Sequence, residues 1–208
     1  TNLTSSTAFT ATTATSTDSS AVSVTTGTGS KPGSYAVEVS SLASAQFLAS
    51  TGTVSGTGTL NFTIGAAGAT SPQTLQVDIT SSEDSMAKIA AKITSAGKDL
   101  GISASVVSDA SGERLVIRGA SGADNAFTVS VSNDGDGDSS DTSGLSALAW
   151  SGADSATMAR KQTASSAQAT INGISVTSNS NTLSNVIDGL TLTLGKVTTS
   201  AASVTVSQ

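Results

Sequence analysis

Leu60-Asn61-Phe62-Thr63-Ile64, followed by Leu75-Gln76-Val77-Asp78-Ile79, is the stretch from which the fold can be read. Apolar residues at every second position put one row of side chains inward and leave the polar row in water, the period of a half-buried strand. The same period recurs at Val22 and Val24, at Tyr35, Val37 and Val39, and from Ile102 to Val107. It returns at Leu115 to Ile117, Phe127 to Val131, Ile174 to Val176, Leu190 to Leu194 and Val204 to Val206, with Gly or Asx turns between. The pattern predicts a mainly β fold with mostly antiparallel pairing.

One segment breaks the alternation. Met86, Ile89, Ala90, Ile93 and Leu100 recur at three- and four-residue steps, which predicts an amphipathic helix over about 81–97. Thr80 with Glu83 has the spacing of a capping box at its start, and Gly97 or Gly101 marks its end. Ser103 to Arg118 reads as a hairpin turning at Ser108-Asp109-Ala110-Ser111-Gly112, with the helix covering one face of its sheet. Gly27-Thr28-Gly29-Ser30-Lys31-Pro32-Gly33 and the span from Asn133 to Lys161, where apolar periodicity fades, read as boundaries. The expected organisation is an α+β chain of two β-rich domains. One is built from both chain ends, 1–33 with 163–208, and 34–162 is inserted into it and carries the helix.

Composition narrows the function classes. Of 208 residues 37% are hydrophobic, enough for a packed core, but only 3% are aromatic and 12% charged. With 9 Lys+Arg against 15 Asp+Glu the net charge is −6, and no basic cluster interleaves with aromatics, so nucleic acid is not an expected partner. The chain has no cysteine, which excludes disulfides, thiolate catalysis and Cys-ligated zinc and suits a protein exported out of a reducing cytoplasm. No stretch approaches the roughly 20 apolar residues that span a bilayer, and Thr1 opens no basic, apolar leader, so the chain is read as a soluble piece of a longer protein with no membrane partner.

Candidate chemistry is sparse. There is no histidine, which removes histidine-based nucleophilic catalysis. Ser85-Met86-Ala87-Lys88 imitates an S-x-x-K motif, but its S-D-N and K-T-G companions are missing, and an exposed lysine on a helix first turn is the favoured reading. Asp134, Asp136, Asp138 and Asp141 have the spacing of early ligands in a Ca²⁺ loop, yet Leu145 stands where the bidentate Glu belongs, so a solvated acidic loop is preferred over weak Ca²⁺ binding. Gly27, Gly29 and Gly33 precede a strand and read as turn glycines, since no helix follows to aim N–H groups at a phosphate. Trp150 is either an exposed interface anchor or, the favoured reading, part of a buried satellite cluster. Arg160-Lys161 reads as a solvated linker pair. The expectation is no enzyme, no catalytic residue, no cofactor and no metal.

Several stretches, taken in order, resemble one family. Ala8-Phe9-Thr10-Ala11 with Ser16-Thr17-Asp18-Ser19 leads into Gly33-Ser34-Tyr35-Ala36-Val37-Glu38-Val39-Ser40-Ser41-Leu42-Ala43-Ser44-Ala45-Gln46. Next come Ser103-Ala104-Ser105-Val106-Val107 and Gly112-Glu113-Arg114-Leu115-Val116-Ile117, then the pair Ser121-Gly122. Ala169-Thr170-Ile171-Asn172-Gly173-Ile174, Ser178-Asn179-Ser180-Asn181 and Val186-Ile187-Asp188-Gly189-Leu190-Thr191-Leu192-Thr193-Leu194 close the series. Their order is similar to that of bacterial flagellar filament cap proteins, the hook-associated protein 2 family, and only Asn133 to Lys161 matches nothing in it. The resemblance implies the plate of a ring-shaped homo-oligomer at the distal, extracellular tip of the flagellum, retaining exported flagellin subunits and promoting their folding and insertion. The helical legs that anchor the cap, and its export signals, are expected outside this chain. A competing expectation is an adhesin-like β module that binds host glycan or mucin, for which Tyr35, Trp150 and four Phe are the only aromatics on offer.

Overall fold

The computed structural model describes residues 12–208; the resemblance at Ala8 to Ala11 lies outside them. The chain divides into two compact units. Unit 1 joins the segment ending at Ala43 to Ser166–Gln208, and unit 2 is Ser44–Ser165.

In unit 1, β1 (Thr13–Ser16), β2 (Val22–Thr26) and β3 (Gly33–Ser41) come from the N-terminal segment. The C-terminal segment contributes β11 (Ala167–Ile171), β12 (Ile174–Ser178), β13 (Thr182–Ile187), β14 (Leu190–Leu194) and β15 (Ala202–Ser207). They form a five-stranded sheet, β1-β15-β3-β11-β12, and a three-stranded sheet, β13-β14-β2, antiparallel throughout. One apolar cluster draws on both sheets, with Val22, Val37, Val39, Leu192, Leu194 and Val204 buried in it. The inward and outward rows alternate as the sequence requires: Val37 and Val39 are buried, while Ala36, Glu38 and Ser40 are exposed. The boundary expected at 33/34 moves to 43/44, because Gly33–Ser41 is a full strand paired on one side with β15 and on the other with β11.

Unit 2 holds a four-stranded sheet, β10-β4-β8-β7, and a three-stranded one, β6-β5-β9. Their strands are β4 (Ala45–Ser50), β5 (Gly58–Ile64), β6 (Gln73–Ile79), β7 (Ser103–Asp109), β8 (Gly112–Ser121), β9 (Phe127–Ser132) and β10 (Met158–Gln162). The single α-helix, α1 (Met86–Gly97), packs on β6 and β7. It buries Met86, Ile89, Ala90 and Ile93 in a cluster with Leu60, Phe62, Leu115, Ile117 and Phe127. The Phe62 and Phe127 rings lie tilted with centroids 6.1 Å apart.

The helix begins later than expected, at Met86, with Ser85 as its N-cap. The Thr80–Glu83 pair does form: the Thr80 backbone N–H and hydroxyl donate to Glu83 Oε2 at 3.3 and 2.9 Å. It closes a separate turn, which Lys92 and Lys88 tie to the helix through Glu83 Oε1 (2.8 Å) and the Ser82 carbonyl (2.9 Å). At the other end the chain folds back so tightly that a Cβ on Gly97 would sit 2.6 Å from the Ile102 carbonyl oxygen. Only glycine fits there.

The span from Asn133 to Lys161 is structured. Gly144–Leu148 forms a 3-10 turn, Trp150 bridges β9 at Val129, and β10 follows. Leu145, Leu148 and Met158 are each 0% exposed, so this span supplies core and not linker.

Candidate functional site

The one place among the described residues where three potential metal-ligating side chains converge is the acidic loop after β9. Carboxylate oxygens of Asp134, Asp136 and Asp141 lie within 4.8 Å of one another. The loop's own donors occupy them. Asp134 Oδ2 accepts the Ser146 N–H at 2.7 Å and the Ser146 hydroxyl at 2.5 Å, while its Oδ1 accepts the Leu145 N–H at 3.4 Å. Asp136 takes the Asp138 N–H and the Ser143 hydroxyl, and Asp141 takes the Ser143 N–H and the same hydroxyl. Asp138 points elsewhere, onto the N–H and hydroxyl of Ser140. Asp134 is 6% exposed. Burial pushes its carboxyl up, but the Ser146 hydroxyl and the Ser146 and Leu145 N–H groups outweigh that and hold it below the ordinary range. It therefore caps the 3-10 turn, placing an anion on N–H groups that have no partner within the turn. Gly144, at φ +56°, makes the approach possible, since a Cβ there would meet Asp134 Oδ1 at 2.7 Å.

A calcium ion needs six to eight oxygens, and these carboxylates are already fastening the loop to itself. Calorimetric titration is expected to show no saturable Ca²⁺ isotherm tighter than about 1 mM. A tight, stoichiometric isotherm would make the loop a metal site.

In the S-x-x-K imitation both residues serve the start of the helix. Lys88 Nζ donates to the Ser82 carbonyl, and Ser85 opens the helix through its backbone, its carbonyl accepting the Ile89 N–H at 2.9 Å. Wherever a carboxyl departs from its ordinary value it moves down, through hydrogen bonds that favour the anion. For Glu83 the Lys92 ammonium leads, for Asp109 the Arg114 guanidinium, for Asp18 the Ser20 hydroxyl and for Asp154 the Arg160 backbone N–H. A general acid at neutral pH requires the opposite shift.

Gly27 and Gly29 lie in the turn joining β2 to β3, and Gly33 begins β3. Trp150 is 3% exposed and belongs to the main core of unit 2, not to a satellite of it. Its Nε1–H closes no hydrogen bond, although it lies near enough to the Asp154 carboxylate to help hold that group low. Arg160 is not a linker residue either: it stands on β10 with its guanidinium carbon 5.3 Å from the centre of the Trp150 ring. Arg118 covers the Phe47 ring in the same way at 5.3 Å. Phe62 and Phe127 are buried as well, and Tyr35 and Phe47 are partly buried.

Two carboxamides do structural work that sequence reading passed over. Gln46, 2% exposed, donates from Nε2 to the Phe127 carbonyl at 2.7 Å and accepts the Phe127 N–H at 3.3 Å. Asn181 pairs with Ala43 in the same way, accepting its N–H at 2.7 Å and donating to its carbonyl at 2.9 Å. Each side chain replaces a strand partner for one backbone residue, on either side of the crossing at 43/44.

Comparison with known proteins points to one family. Residues 1–46 match the family model for the flagellar hook-associated protein 2 N-terminus and 164–208 that for its C-terminus, while 59–121 match the flagellin hook IN motif. The B-type flagellar hook-associated protein 2 of Pseudomonas aeruginosa is 31% identical over 185 residues, covering 84% of this chain and 38% of that protein. This chain thus spans well under half the length of that curated relative. Among solved structures, the D2-D3 domains of the flagellar cap protein FliD from Escherichia coli superpose with a TM-score of 0.76 at 30% identity, over 95% of this chain and 100% of that one. FliD (HAP2) from Pseudomonas aeruginosa PAO1 gives 0.71 at 29% identity, over 90% and 85%. Two β-rich units, one inserted into the other and matched along almost their whole length by cap-protein domains, mean that this chain belongs to the flagellar hook-associated protein 2 family, the flagellar cap proteins.

Proposed function

We propose that the chain forms the plate of a ring-shaped homo-oligomer at the extracellular tip of the flagellum, where it retains exported flagellin and promotes its folding and insertion. The observation that supports this reading most is the match to cap-protein D2-D3 domains over nearly the whole chain. Flagellin polymerises by burying its own surface, so the cap has to confine a subunit and expose an insertion gap, not make or break bonds. A surface of Ser and Thr rows with few charges suits this role, since contacts with passing subunits must be weak and reversible. The two units are proposed to be separable domains, the inserted one carrying the acidic loop and the helix.

The test is deletion of the parent gene, with flagellin quantified in filaments and in the medium. Filaments should be absent or stunted, monomeric flagellin should accumulate outside the cell, and the full-length gene should restore both. Normal filaments in the deletion strain would remove the reading.

A further inference from the structure

The five-stranded sheet of unit 1 ends at β12, and among the described residues no strand pairs with its outer side. Exposed edges are commonly defended by charged residues, proline or a bulge, because an open row of N–H and C=O groups templates pairing with another chain. The edge strand β10 of unit 2 has two of these defences, Arg160 with Lys161 and a register shift between Arg160 and Gln162. Ile174-Ser175-Val176-Thr177-Ser178 has none: it is uncharged and proline-free, and its register with β11 runs without a shift.

The inward row of this strand is also unfinished. Ile174 sits opposite Ile171, which is 6% exposed, and Val176 sits opposite Ala169, which is 3% exposed. Ile174 itself is 71% exposed, the most of any large apolar side chain among the described residues. The apolar row therefore runs off the edge of the sheet.

We propose that β12 is a self-association edge, pairing antiparallel with β12 of a second copy across a two-fold axis at Val176. The strand is its own match: Val176 meets Val176, Ser175 meets Thr177, and Ile174 meets Ser178 with the second copy's Val176 on the diagonal. Charge selects the same partner. Two copies of a chain of net charge −6 repel each other, yet residues 162–187 contain no Asp, Glu, Lys or Arg, so this edge is where the repulsion is least. A strand that recognised a different protein would need a feature to discriminate against itself, and β12 has no charge with which to do so. Such an isologous contact stops at two copies, so it stands apart from ring closure and does not depend on the cap reading.

Sedimentation equilibrium on the chain should show a monomer–dimer equilibrium with a dissociation constant of about 10–100 µM. The double variant I174K/T177K, which charges one exposed position on each face of β12, should stay monomeric, with dimerisation weakened at least about tenfold and an unchanged circular dichroism spectrum. In the wild-type chain, amide exchange at β12 should slow as concentration rises, a readout that does not depend on the variant folding. Concentration-independent exchange at β12 would overturn the proposal, as would a dimer that survives in the double variant or assembly that grows past two copies.

Discussion

Replacing Gln46 with leucine is expected to lower the stability of unit 2 by about 2–4 kcal/mol and its melting temperature by roughly 10 °C. Leucine keeps most of the volume, so the loss is one of polarity. The Phe127 N–H and C=O lie in the core with the Gln46 carboxamide as partner for both, and leucine leaves each desolvated and unpaired. Gln46→Glu separates the two bonds, since a carboxylate can accept the Phe127 N–H but cannot donate to the carbonyl. It should therefore also destabilise, and more at neutral pH than in mild acid, where the buried carboxyl is protonated. Thermal unfolding followed by the fluorescence of Trp150, the sole tryptophan and a core residue of unit 2, reads the change directly. A shift within the error of the wild type would mean that water replaces the carboxamide at no cost.

Asp134→Ala should cost a comparable amount, about 2–4 kcal/mol, because it strips the cap from a turn whose Leu145 and Leu148 are fully buried. The variant with the more telling pH profile is Asp134→Asn. The Asp134 carboxyl is held below its ordinary value of 3.8, so the folded state binds its proton more weakly than the unfolded state does. Its contribution is fully present above that ordinary value and is lost as pH falls through the lower folded value. Asp18, Glu83, Asp109, Asp138 and Asp154 are shifted the same way, so the wild type as a whole weakens in acid. The difference between wild type and Asp134→Asn isolates the one carboxylate. It should be large at neutral pH and shrink in denaturant titrations as pH falls below the ordinary value of 3.8. A difference that stays constant across that range would mean that the loop is held by packing and not by the anion.

Strands with one face in water and one in the core were readable from alternation alone, and β5, β6, β9 and β14 carry it cleanly. β4 did not show itself, because nearly every residue of Ala45–Ser50 is buried and alternation requires a wet face. The span containing Leu145, Leu148, Trp150 and Met158 was unreadable for another reason. These side chains reach the core from a 3-10 turn, a lone bridge and a short edge strand, none of which imposes a sustained period. The Thr80–Glu83 spacing pointed correctly to the carboxylate reaching back to the Thr80 N–H, but the Thr80 hydroxyl donates to Glu83 instead of accepting a backbone N–H, and the turn closes before the helix begins. The roles of Gln46 and Asn181 depend on partners 81 and 138 positions away, beyond the reach of any local pattern.

The pairing scheme of unit 1 also orders events in time. Among the described residues each of its N-terminal strands finds its ladder partner in the C-terminal ones: β1 with β15, β2 with β14, and β3 with β11 and β15. A chain that emerges from its N-terminus can complete unit 2 from Ser44–Ser165 alone while β1 to β3 still wait with apolar rows uncovered. Closing the sheets then requires the last strand to meet the first across the whole inserted unit, a step of high contact order and hence slow. A stop within the strands that follow Ser165 would leave a finished inner unit flanked by adhesive, half-paired strands, so the arrival of β11 to β15 sets the rate at which this part of the protein becomes safe from aggregation.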